Sequence, residues 1–167
     1  DAAIVFPPPD GFPDSEGSFV FFREIAKVIN IGVVVFLRHE FWPDVLQRLG
    51  EHQNVIGFLP PLSSTPGFYD NVAASLDKLG LRHLLWIAEN ESAAMMSLPL
   101  GAKAYTTAAA AFVPSACQDF WRQGMRGNVD AMRTVTKGRI DPVLRIRSYR
   151  PGYGISGAKT ALELLGG

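Results

Sequence analysis

The sequence predicts an α/β fold built on a parallel sheet, and three observations carry that prediction. The strand candidates, among them residues 31–37 (IGVVVFL) and 54–59 (NVIGFL), are apolar throughout rather than alternating, which implies burial on both faces. These short runs alternate with longer amphipathic stretches, a repeated βα order. Hydrophobic residues make up 47% of the 167 and charged residues 19%, a globular composition with enough chain for one domain and a real core. Repeated βα units close either into a doubly wound sheet or into a (β/α) barrel. About five strands are present, where a closed barrel takes eight strands and ~250 residues, so size by itself favours the doubly wound sheet.

Taken in order, residues 2–6 (AAIVF) form the first strand candidate, ended by three prolines. Residues 15–30 read as a helix with Ser15 as N-cap. The run 31–37 is β-branched and of strand length, and 42–51 (WPDVLQRLGE) is a short helix with Pro43 in its first turn. After the strand 54–59, residues 67–80 set Val72, Leu76 and Leu79 on one helical face, with Gly80 as the C′ stop. Residues 82–88 are a strand and 91–101 a helix ending near Pro99. Residues 102–112 (AKAYTTAAAAF) are strand-like at the start, although their alanines favour a helix. Residues 114–128, 129–146 and 154–167 read as closing helices, giving a single domain over 1–167 with those helices from about 114.

Composition also excludes partners. Formal net charge is zero, which leaves no footprint for nucleic acid, and the arginines of 139–150 (RIDPVLRIRSYR) read as a solvated face. No apolar run approaches the ~20 residues of a membrane span. The start lacks the basic region of a signal peptide. It also lacks an initiator Met although a strand begins almost at once, so processing or a longer polypeptide is expected. Cys117 is the single cysteine, so no intrachain disulfide forms; this fits a reducing, cytoplasmic setting. In a helix it reads as a small core residue. No Gly-rich phosphate loop follows a strand, and no cofactor is expected.

Several segments, in common order, shift the balance toward the barrel. Residues 2–9 (AAIVFPPP), 16–38 (EGSFVFFREIAKVINIGVVVFLR), 54–59, 105–121 (YTTAAAAFVPSACQDFW) and 148–166 (SYRPGYGISGAKTALELLG) together resemble the dihydrodipicolinate synthase/N-acetylneuraminate lyase family of class I aldolases, and within it the 5-dehydro-4-deoxyglucarate dehydratase branch. The resemblance covers essentially the whole chain. It implies a (β/α)8 TIM-barrel fold, this chain covering about the last five βα units plus C-terminal helices, and a homo-oligomer acting on a small keto acid or sugar acid. A partial barrel of this kind leaves parallel edges and apolar faces open.

The family works through a Schiff base from a lysine at the end of its sixth strand, chemistry that only an amine performs. The resemblance puts Leu59 at that place. It puts Pro9 where the family has its tyrosine proton shuttle, Ala111 at the dehydratases' asparagine after the eighth strand, and Leu37 at the fifth strand's asparagine. Tyr69, Tyr105, Tyr149 and Tyr153 match no shuttle position. Arg38 survives as a carboxylate ligand or a surface ion-pair partner. Thr106 and Thr107 keep the hydroxyls of the paired serines, and Glu89 and Glu91 follow the seventh strand, as an acid/base pair or as a solvated loop. Lys103 falls at the start of the eighth strand, away from the active face, and Lys159 in the last helix.

Other constellations are thin. His39, His52 and His83 are scattered, and Glu40 beside His39 falls short of a zinc site, so no metal is expected. Ser63, Ser64 and Thr65 cluster without a base partner. The sequence thus predicts a lyase- or dehydratase-family barrel defective in imine chemistry, with Arg38, Thr106, Thr107 and Glu89 as substrate-binding candidates. A non-catalytic carboxylate-binding or assembly subunit is the alternative, and a different chemistry on Glu89, Glu91 or His39 the third reading.

Overall fold

A computed structural model describes residues 1–8, 14–37, 40–63, 65–147, 149 and 153–164. Five strands, β1 (Ala2–Val5), β2 (Gly32–Phe36), β3 (Val55–Leu59), β4 (Leu85–Ala88) and β5 (Ala104–Tyr105), pair in parallel. Between them run α1 (Ser15–Val28), α2 (Pro43–Leu49), α3 (Pro66–Lys78) and α4 (Glu91–Ser97). Then follow α5 (Pro114–Met125), α6 (Val129–Val135), α7 (Asp141–Arg147) and α8 (Tyr153–Leu164).

Strand order decides between the two architectures. The sheet runs β1-β2-β3-β4-β5, each strand beside its successor. A doubly wound sheet reverses its order at a switch point; this one never does. Successive right-handed crossovers in one direction put every helix on the same face and curl the sheet. The preference for a doubly wound sheet on size is therefore corrected, and the five strands form part of a (β/α)8 barrel.

Side chains sort accordingly. Val33, Val35, Leu37, Val55, Phe58, Trp86 and Ala88 pack with helical residues such as Phe19, Phe22, Leu46, Val72 and Phe120. The opposite face holds a cluster made only from strands: Val34, Phe36, Leu59 and Ile87. That second face is the barrel interior. Burial on both faces holds for the middle strands apart from Ile56, but not for β1, where Ile4 is 39% exposed and Phe6, just beyond it, 56%. The interior side of that edge strand is only partly covered, and Ile4 and Phe6 there line a cavity.

Local chemistry explains the helix ends. The carboxylate of Asp14 accepts from Gly17 N at 2.6 Å, so Asp14 and not Ser15 caps α1; its charge also complements the helix dipole. Gly80 follows α3 at φ +67°, the left-handed stop that the sequence signals. The four alanines 108–111 form one 3₁₀ turn because Thr107 caps Ala109 N at 3.0 Å and Pro114 starts a new helix close behind. The expected helix 129–146 carries a π turn over Thr136–Ile140, just ahead of Pro142, which has no N–H to give to the preceding turn.

Candidate functional site at the C-terminal ends of the strands

A cavity of about 490 Å³ opens where the strands end. Its floor is hydrocarbon: Ile4 and Phe6 from β1 and its end, Phe36 from β2 and Leu59 from β3. Phe6 and Phe36 meet with ring centroids 4.8 Å apart. Leu59, 2% exposed, packs there with Val34, Phe36 and Ile87. Its wall is polar: Glu89, Asn90 and Glu91 after β4, and Thr106 and Thr107 after β5. Leu144 of α7 closes one side.

The wall is held by its own hydrogen bonds. Thr106 continues the β4–β5 ladder through its N–H to Ala88 O at 2.9 Å, and its hydroxyl donates to Glu89 O at 2.5 Å. Asn90 caps α4, its side-chain oxygen accepting from Ala93 N at 2.9 Å. Glu91 is the first residue of α4 and only 8% exposed; one carboxylate oxygen accepts the Thr107 hydroxyl. The reading of Glu91 as part of a solvated loop is thus corrected. The N-cap turns the chain inward, so the next side chain points back into the barrel mouth. Behind the wall, the Tyr105 hydroxyl donates to Cys117 O at 3.0 Å. Burial first, then Cys117, holds the Tyr105 hydroxyl well above its ordinary range. Burial likewise pushes the Cys117 thiol up, which suits a core residue.

The remaining candidates disperse. Leu37 lies in the helix-side layer, with its N–H on Leu59 O at 2.9 Å, so its side chain belongs to the face opposite the cavity. Ala111 is exposed on the 3₁₀ turn and is not among the cavity's described lining residues. Pro9, Arg38, His39 and Ser64 lie outside the described residues. Lys103 precedes β5 at the far end of the sheet, and Lys159 is exposed on α8. Ser63 and Thr65 bond each other at 2.8 Å, and the Tyr69 hydroxyl donates to Ser63 O at 3.1 Å, which makes this a clamped turn. His52 lies in the turn before β3, and His83 contacts Gly80 O at 3.2 Å. No group of three metal-ligating side chains occurs among the described residues, and no helix there is long and apolar enough to cross a membrane. Phe6, Phe36 and Asn90 were absent from the sequence candidates. Only Asn90 carried a readable signal, a cap residue just before a helical run.

A parallel sheet wound in sequence order, with a cavity where its strands end, defines a βα-barrel protein of which the chain forms part. No family model matches the chain. Among curated proteins, one named a probable 5-dehydro-4-deoxyglucarate dehydratase, from Rhizobium rhizogenes, is 28% identical over 172 aligned residues, covering 99% of this chain and 55% of the relative. Another of that name, from Bacillus subtilis, is 23% identical and covered to 54%. Among solved structures, the dihydrodipicolinate synthase of Bacteroides thetaiotaomicron superimposes with a TM-score of 0.82 at 18% identity, over 99% of this chain and 57% of that one. That of Oceanobacillus iheyensis gives 0.80 at 16%, again over 99% of this chain, and 55% of that one. In sequence the chain resembles these dehydratases, and in fold it matches part of the dihydrodipicolinate synthase barrel. The chain spans about half the length of the curated relatives it matches.

Proposed function

We propose that the chain is part of a lyase/dehydratase-family barrel that has lost imine catalysis and keeps its cavity for binding. The observation that carries this reading is Leu59, whose hydrocarbon side chain is buried at the cavity floor where the family resemblance puts the reactive lysine. An isobutyl group has no lone pair to attack a carbonyl. No lysine is among the cavity's described lining residues. The relatives' names make keto acids and sugar acids the first compounds to test for turnover. On this reading the full polypeptide converts none of them. Sustained conversion of a keto acid or sugar acid overturns it.

A second reading, an assembly subunit, draws on the open interior edge at Ile4 and Phe6. Thermal-shift screening separates the two. Stabilisation by a small molecule supports the binding role through linkage. A melting temperature that no small molecule moves, but that rises with protein concentration, supports assembly.

A further inference from the structure

We propose that the flank of α1 turned away from α2 is the seat of a further helix, that of the βα unit immediately ahead of β1 in the same polypeptide. The faces of α1 sort by helical spacing. Phe19, Phe22 and Ala26 pack into the core with the strands. Glu16 and Phe19 mark the side held by α2. Arg48 bonds the Glu16 carboxylate at 2.5 and 3.1 Å, and its guanidinium lies 3.5 Å from the centre of the Phe19 ring. Gly17, Ile25 and Val28 fall on the opposite side, roughly 160° round the helix axis at about 3.6 residues per turn. An apolar groove of about 510 Å³ runs along α1 there, and every described residue lining it belongs to α1 itself. Val28 is 78% exposed and Val20 38%.

Three features of the molecule point to the occupant. Helices pack in sequence order, α1 on α2, α2 on α3 and α3 on α4, so the flank of α1 away from α2 is where the next member of the ring lies. The sheet ends at the same place, since β1 is its first strand, with β2 beside it. One βα unit added ahead of β1 gives that strand a parallel neighbour and lays its helix along α1, running in the same direction. A second copy related by a twofold axis there pairs β1 with β1 antiparallel or puts the two helix layers on opposite faces; neither continues the winding. The curated relatives also carry the length, because this chain covers 55% of one and 54% of another. Charge narrows the chemistry of the incoming helix. Glu16 and Glu24 at the rim of the groove already have cations, Arg48 for the first and Arg23 and Lys27 for the second. What fits is therefore an aliphatic stripe at helical spacing rather than a basic face.

Alkylation of Val28→Cys in the full polypeptide by iodoacetamide tests this, read by peptide mass spectrometry. Asp130→Cys is the control, because the Asp130 side chain is 93% exposed. The Val28→Cys thiol is expected to react at least about tenfold more slowly in the folded polypeptide than in urea, and the Asp130→Cys thiol about equally in both. The protection is expected to survive dilution, since a seat filled within one polypeptide has no concentration dependence. A Val28→Cys thiol as reactive as the control overturns the inference. So does protection that dilution removes, the mark of a second copy or a separate chain. If Val28→Cys does not fold, hydroxyl-radical footprinting of the unaltered polypeptide makes the same comparison at Val20, Ile25 and Val28, where protection supports the inference and full labelling overturns it. Conversion of a keto acid bears on the preceding proposal alone.

Discussion

At the scale of single residues, the account turns on which side chains share a space. Leu59, Phe36 and Phe6 meet on the interior face, whereas Leu37, one residue beyond Phe36, belongs to the helix layer. Strand periodicity makes that distinction, since neighbours in a strand point to opposite faces. Alignment along the sequence grouped Leu37 with Leu59 because it matched motifs and ignored parity. Cys117 gives a prediction of its own. Burial raises its thiol and the Tyr105 hydroxyl above their ordinary values. A group raised on folding contributes stability that is whole below its unfolded pKa and is lost as pH rises through the folded one. Denaturation midpoints should therefore hold up to about pH 8.5, the ordinary thiol value, and decline above it. Cys117→Ala should flatten the first part of that decline, as urea titrations across pH will show. An unchanged alkaline slope in that variant would refute the assignment.

At the scale of elements, two contacts fix how strands meet helices. The Asn54 amide donates to Ala26 O at 2.6 Å and Ile29 O at 2.9 Å, satisfying carbonyls that the end of α1 leaves without partners. Asn54→Ala should cost about 1–3 kcal/mol in equilibrium unfolding, the penalty of partly buried acceptors left bare. Gly57 sits against β4 so closely that an added Cβ would run into Leu85 O and lie 2.8 Å from Leu85 Cβ. Gly57→Ala should therefore destabilise by about 1–3 kcal/mol through overpacking; a neutral result would mean that β3 and β4 yield there. Most elements were legible in the sequence. Apolar runs gave the strands, Pro43 and Gly80 marked helix ends, and the helical spacing of Val72 and Leu76 gave the buried face of α3. The alanine turn at 108–111 and the π turn were not legible, because Thr107 capping and the Pro142 donor gap act through three-dimensional partners rather than local preference. The burial of Glu91, a candidate read as an acid/base partner or a solvated loop residue, was not legible for the same reason. Its polarity signals solvent, and only the Asn90 cap turns it inward.

At the scale of the molecule, five parallel strands in sequence order leave β1 and β5 at the two ends of the described sheet, with Ile4 and Phe6 at the β1 edge exposed. Size suggested the wrong winding because chain length says nothing about direction of crossover; strand order does. We propose that further βα units, from the same polypeptide or from a partner, complete the barrel against these edges. The 167-residue chain alone should then self-associate or bind a hydrophobic dye. The polypeptide with its complement should do neither, as light scattering and dye fluorescence will tell. The central claim, that a hydrocarbon replaces the amine at the cavity floor, is tested most directly by trapping. The full polypeptide is incubated with pyruvate and sodium borohydride, and its intact mass and peptides are read by mass spectrometry. The account predicts an unchanged mass; a reduced adduct on any lysine that reaches the cavity would contradict it.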